Sequence, residues 1–269
     1  MSLEFRLIEI EKRNPYRIAA MDQAILEECE AGRSPPTLVY HNWQPSVSIA
    51  NGQNRNDINH EMCREKGFDV VRLTTGGKAV VHFPDTEFTY SLFVPITGIN
   101  PRSTYELYCG RIATALRELG VPSAVIDNND IFVGEKKIGG NAQYIKKQYA
   151  MQQGILIYTK PDAQVMLSLM NSSLYPSGSV AKLNRVLTGF RDHSGSSQEQ
   201  LRETLTSHLL EGYKIKKGTL TRREQTRIRE LESSYRTIEE AQAPQVRGLC
   251  WMPAPAYLQT KRTAVEARV

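Results

Sequence analysis

Arg72-Leu73-Thr74-Thr75-Gly76-Gly77-Lys78-Ala79-Val80-Val81-His82 is a Gly-Gly turn set between two segments that read as strands. Asp69-Val70-Val71-Arg72 leads in, and Lys78 to His82 leads out. Paired glycines at a strand-to-strand corner let backbone N–H groups approach a bulky ligand, because no Cβ stands in the way. The basic residues on either side, Arg72 and Lys78, make the turn a seat for an anion such as phosphate. The same residues also fit a plain hairpin turn with two solvated basic side chains.

A second segment stands downstream: Asn129-Asp130-Ile131-Phe132-Val133-Gly134-Glu135-Lys136-Lys137-Ile138-Gly139-Gly140-Asn141-Ala142-Gln143. It reads as a strand, a tight turn at Gly134-Glu135, and a return strand that carries Lys137 into small residues. A lysine placed there offers a point charge with three donors to phosphate or carbonyl oxygens. The alternative for Lys137 is a solvated hairpin lysine. The small residues that follow it suit a side chain pointing into a cleft.

Together the two segments resemble the lipoate–protein ligase family, part of the biotin/lipoate ligase superfamily. The residues that carry the resemblance are Thr75-Gly76-Gly77-Lys78-Ala79-Val80-Val81-His82, then Asn129-Asp130, then Lys137-Ile138-Gly139-Gly140-Asn141-Ala142. Two blocks in matching order and spacing are far more specific than a lone Gly-rich match. Glu87 to Leu92 also fits the family's segment after the histidine, and the resemblance runs from Phe5 to Arg236.

The resemblance implies an α/β fold: a mixed, largely antiparallel sheet flanked by helices, of the class II synthetase-like biotin/lipoate ligase type. It implies ATP-dependent activation of lipoate or octanoate to acyl-AMP, with Mg²⁺. Transfer to a lysine of a lipoyl-domain or H-protein-like acceptor then follows. It assigns Lys137 to the acyl carbonyl and phosphate, as the catalytic residue. Asn129 and Asp130 sit by the adenylate, with Asp130 on the metal. The substrate and adenylate cradle takes Arg72, Thr75, Gly76, Gly77, Ala79, His82, Gly140 and Ala142, with Lys182 as a second phosphate contact. Lys182 also reads as a solvated lysine.

Three departures mark this sequence. Leu73 stands where the family has a second arginine, Phe83-Pro84 where an aspartate follows the histidine, and Gln152-Gln153-Gly154 where His-Gly or His-His-Gly is usual. A lost charged hydrogen bond is worth about 1.5–3 kcal/mol. Cysteine position separates two reaction types. Related octanoyltransferases and amidotransferases carry a cysteine nucleophile shortly before the lysine hairpin. Here that region reads Val125-Ile126-Asp127-Asn128-Asn129-Asp130, and the cysteines are Cys29, Cys63, Cys109 and Cys250. This favours adenylation over a thioester relay. A biotin ligase is disfavoured because the loop is not of the Gly-Arg-Gly-Arg type.

With 269 residues the chain can bury a large core, and a net charge of +5 suits an acidic acceptor or a nucleotide. Zinc-finger spacing and an RNP-type aromatic run are both missing, so a nucleic-acid partner is not expected. No apolar run approaches the roughly 20 residues that span a membrane, and Met1 to Arg6 has no hydrophobic signal core. The expectation is a cytoplasmic protein.

Strands are expected at Phe5 to Ile10, Thr37 to Tyr40, Ser46 to Ala50 and Ile155 to Tyr158. Helices are expected from Asn14-Pro15 to Glu30, Ile58 to Lys66, Thr104 to Leu119, Pro161 to Met170, Ser197 to Tyr213 and Thr221 to Tyr235. Asn51-Gly52-Gln53-Asn54 reads as a polar turn, and Ser172 to Ser179 as a loop. Trp43 fits either a ligand wall or packing. Arg222, Arg223, Arg227 and Arg229 form a basic helix face, solvated or a dock for an acidic acceptor. Residues 1–240 read as the catalytic domain and 241–269 as a short tail. That tail is too short for the accessory domain of many bacterial ligases, which suggests a separate small accessory protein. Two other functions stay open: an acyltransferase using a preformed activated donor, and a non-catalytic binding subunit.

Overall fold

The computed structural model describes residues 3–96, 101–126, 129–171 and 179–238. Residues 172–178 of the expected loop, and the tail with Cys250 and Trp251, lie outside the described residues. In chain order the strands are β1 (Glu4–Glu9), β2 (Thr37–His41), β3 (Ser46–Ile49), β4 (Asp69–Arg72), β5 (Val80–His82), β6 (Glu87–Pro95), β7 (Ser123–Ile126), β8 (Asp130–Val133), β9 (Lys136–Ile145), β10 (Tyr149–Ile157) and β11 (Lys214–Lys217). The helices are α1 (Pro15–Glu30), α2 (His60–Glu65), α3 (Pro101–Glu118), α4 (Ala163–Ser168), α5 (Ser179–Val186), α6 (Gln198–Leu209) and α7 (Arg222–Ile238).

An eight-stranded sheet runs in the order β11-β1-β2-β6-β10-β9-β8-β7. β1 pairs in parallel with β11 and β2; every other neighbour is antiparallel. The sheet is therefore mixed and largely antiparallel, as the resemblance implied. One face carries α3 and α6 over a core that includes Leu92, Ile112, Leu116, Ile138 and Leu205. The other carries α1 and α7 over Ile18, Ile25, Phe93, Met151 and Ile228. A satellite core joins the small sheet to α2 and α4 through Val47, Ile49, Cys63, Val81 and Leu169.

Helix α1 begins where its sequence says it should. The Asn14 side chain accepts from Arg17 N at 2.9 Å, and Pro15 occupies the first turn. Elsewhere the structure corrects the sequence reading. β1 ends at Glu9 rather than Ile10, and Phe5, Arg6, Leu7 and Ile8 are all buried, because helices cover both faces of the sheet. The short strand expected at Ile155 is the end of nine-residue β10. β7 and β11 were not anticipated, and α3 starts three residues earlier than expected, at Pro101 rather than Thr104.

The largest correction concerns the Gly-Gly segment. β4 and β5 do not pair. They flank β3 in a three-stranded sheet of order β4-β3-β5, β4 parallel to β3 and β5 antiparallel. The segment from Leu73 to Ala79 is thus a crossover that passes over the end of β3, not a hairpin turn.

Candidate functional site

Lys137 owes its direction to one irregularity of the large sheet. Between β8 and β9, Phe132 faces Lys137 and Ile131 faces Gly139, so Ile138 is an extra residue on β9. Ile138 enters the core under α3, while Lys137 turns towards Gly140. The Lys137 Nζ donates to Asp130 Oδ1 at 2.7 Å. A Cβ on Gly140 would stand 3.0 Å from that Nζ and 3.1 Å from that Oδ1. The bare glycine is what gives the ion pair its room. The lysine side chain is 38% exposed and the aspartate 16%, so the ammonium is open to a ligand while its partner is largely enclosed.

Asn129 fastens this corner. Its amide donates to Asn141 O at 3.0 Å, and the Asn141 amide returns to Asn129 O at 3.0 Å. The Asn141 side chain also accepts from the buried Tyr90 hydroxyl. Ala142 lies beyond, paired with Gln153 of β10.

Gln153 ties the sheet to the loop. The Thr75 hydroxyl donates to Gln153 Oε1 at 2.6 Å, and Gln153 Nε2 donates to Asp22 Oδ2 at 2.6 Å. Thr75 O also accepts from Asn51 N at 2.8 Å. At the loop's base Arg72 donates to Ala50 O and Gln53 O, at 3.0 and 2.9 Å. Thr75 is buried, Gly76 half-buried, and Gly77 and Lys78 exposed. Gly77 has φ of 106°, a left-handed backbone that favours glycine. The loop therefore has a fixed foot at Thr75 and an open crest.

His82 is held from three sides. Its ring stacks on Trp43 at 4.1 Å and 5°, Nδ1 is 2.7 Å from Glu87 Oε1, and Nε2 is 2.9 Å from Ser48 Oγ. It is buried, with both ring nitrogens at side-chain partners. Ala79 packs into the satellite core beside it. Lys182 is exposed on α5. The end of that helix docks on the lysine strand, where Thr188 N donates to Lys137 O at 3.1 Å.

Two departures from the family pattern are absorbed by packing. Leu73 packs against the α1 core and Phe83 against the satellite core, where it meets Phe68 edge-on at 5.6 Å. The third, Gln153, takes up the tie to Thr75. Sequence reasoning missed its partner Asp22, which is 1% exposed and also accepts from Ser91 Oγ at 2.7 Å. His41 Nε2 lies 3.2 Å from Asp22 Oδ1, at ion-pair distance but without hydrogen-bond alignment. A signal was present: Asp22 falls four residues after Ile18, on the apolar stripe of α1.

The described cysteines offer no nucleophile. Cys29, Cys63 and Cys109 are buried. Burial pushes their thiols up to about 12, about 11 and about 12. No described helix is long and apolar enough to cross a membrane.

A model of the lipoyl protein ligase A/B catalytic domain matches residues 14–209, more than half of the chain. The chain is 29% identical over 263 residues to the octanoyltransferase LipM of Moorella thermoacetica, covering 86% of this chain and 95% of that one. Among solved structures it is similar to the bi-partite lipoate protein ligase of Thermoplasma acidophilum, with a TM-score of 0.81 and 21% identity, covering 88% and 95% of the two chains. It is also similar to a lipoate-protein ligase A bound with ATP, with a TM-score of 0.76 and 22% identity, covering 89% and 98%. At these identities the solved structures speak for the fold, and the family match speaks for descent: this chain belongs to the lipoyl protein ligase A/B catalytic-domain family.

Proposed function

We propose that this chain activates lipoate or octanoate with ATP and passes the acyl group to a lysine of a lipoyl-domain or H-protein-like acceptor. In the first step the acid's carboxylate oxygen attacks the α-phosphorus, and pyrophosphate leaves. In the second the acceptor amine attacks the acyl carbon, forms the amide, and releases AMP. One observation carries the reading. Among the described residues the charged centre at Lys137 has no exposed thiol beside it: Cys29, Cys63 and Cys109 are buried, and the segment before the lysine hairpin contains none. An acyl-adenylate needs no protein nucleophile, because AMP is already a good leaving group.

Lys137 supplies fixed positive charge as negative charge grows on phosphorus and then on the acyl oxygen. The crest, half-buried at Gly76 and exposed at Gly77, carries backbone N–H groups with no Cβ of their own beside them. Asp130 is a hard oxygen donor at the same corner. A magnesium ion takes one or two carboxylates and completes its shell with substrate phosphates, so Asp130 with a nucleotide fits it. When bound, the ion would neutralise phosphate charge.

Similarity to an octanoyltransferase over 95% of that protein favours a second reading, in which the chain takes a preformed activated acyl donor. Adenylation would then fall to a partner, as the description of the Thermoplasma ligase as bi-partite suggests. Intact-mass analysis of a lipoyl domain and an H protein, incubated with chain, lipoate, ATP and Mg²⁺, separates the two. A gain of one lipoyl mass supports the ligase. Gain only with synthetic lipoyl-AMP supports transfer with a missing adenylation partner, and no gain with either donor overturns both. Lys137→Ala should lower the rate about 10²–10³-fold, the cost of one charge-stabilising donor.

A further inference from the structure

We propose that Gln153 is a positioning residue that sets the Gly-Gly loop by linking Thr75 to the buried carboxylate of Asp22. The inference rests on the reading of that loop as the acyl-adenylate cradle.

The link has a direction. Asp22 is an acceptor only, and its Oδ2 already takes the Ser91 hydroxyl at 2.7 Å. Gln153 must therefore turn its NH₂ towards Asp22, at 2.6 Å. That leaves its carbonyl oxygen facing the loop. Only a donor can meet it, and the Thr75 hydroxyl does so at 2.6 Å. With Thr75 O also held by Asn51 N at 2.8 Å, Thr75 is fixed through side chain and main chain. The next two residues are the glycines of the open crest. The link thus fixes the residue from which the exposed N–H groups project, and Gln153 need not touch the substrate itself.

The side chain required is one that donates at one end and accepts at the other. A neutral imidazole meets that requirement. A carboxylate does not, since it has no donor to offer Asp22. Gln153→His should therefore preserve the link, while Gln153→Glu and Gln153→Ala should break it.

The test uses the full chain and three readouts: hydrogen exchange of residues 73–79, binding of a non-hydrolysable octanoyl-adenylate analogue, and the KM and kcat of transfer. In Gln153→Ala we expect loop exchange to accelerate and analogue affinity to fall, each about tenfold for one lost hydrogen bond to a charged network. KM for the acyl donor should rise more than kcat falls. Gln153→His should restore all three, and Gln153→Glu should not. Thr75→Val cuts the link from the loop side without touching Asp22, and should reproduce Gln153→Ala even if that variant folds poorly. Unchanged loop exchange in both variants overturns the proposal whatever the ligand. So does acceleration spread across the large sheet instead of confined to the loop. If loop exchange accelerates as expected but the wild type ignores the analogue, the link stands and the acyl-adenylate reading falls.

Discussion

A Cβ built at Gly140 would stand 3.0 Å from Lys137 Nζ and 3.1 Å from Lys137 Cε. Asp130 Oδ1 is also met, at 3.1 Å; all three contacts are tighter than ordinary, and all are with side-chain ends rather than backbone. Gly140→Ala should therefore move the ammonium and leave the backbone in place. The expected outcome is an unfolding free energy lowered by about 1 kcal/mol, with transfer reduced up to about a hundredfold for a displacement near 1 Å. Parallel melting and transfer measurements check it; a large loss of stability would contradict the geometry. At this scale much was legible in the sequence. Thr75, Asp130, Lys137 and Gly140 stand out as motif residues, and the structure places Asp130, Lys137 and Gly140 at one corner. Gln153 registered only as an absent histidine, and Asp22 went unread on the apolar stripe of α1. Gln153 has no local signature and Asp22 only its place on that stripe, because each acts through a partner far away in sequence: Thr75 for one, Ser91 and Gln153 for the other.

Helix α7 is secured by an ion pair that no local pattern announces. Arg6 of β1 donates to Glu224 at 2.9 and 2.6 Å and to Thr37 Oγ1 at 3.1 Å. Glu224 also accepts from Ser34 Oγ and Thr221 N, both at 2.7 Å. The side chains are 9% and 0% exposed. Removing one partner strands a buried charge, so Arg6→Ala should cost about 3–5 kcal/mol, read by denaturant unfolding. The pH dependence follows the same contacts. Burial pushes the Glu224 carboxyl up, but hydrogen bonds from Arg6 and Thr221 outweigh it and hold the group below its ordinary 4.5. A lowered folded value means stability that is present above pH 4.5 and lost as pH falls through the folded value. Glu224→Gln should flatten stability against pH in that acid window. Elements with local signals were legible: α1 from its cap and proline, β8 and β9 from their turn. β11 was not, since Lys214-Ile215-Lys216-Lys217 becomes a strand only by pairing with β1 across the chain.

Across the whole molecule, the thiols test the chemistry as a unit. With values pushed up to about 12, about 11 and about 12, Cys29, Cys63 and Cys109 should resist N-ethylmaleimide at pH 7 in the folded protein and react after unfolding. Peptide mass mapping reads this directly. Acyl transfer should survive saturating reagent, and its loss would point back to a thioester relay. The fold class was legible because two spaced motifs identify a family; the path of the Gly-Gly segment was not, because a pair of glycines between strands looks the same in a hairpin and in a crossover. The difference is mechanical. A hairpin's two arms hold each other, so its tip can open by peeling them apart. Here each arm is bonded to β3 instead, like an arch resting on separate piers about 10 Å apart, two strand spacings. The span is set by the piers, so the crest can flex over a ligand without loosening the strands beneath it.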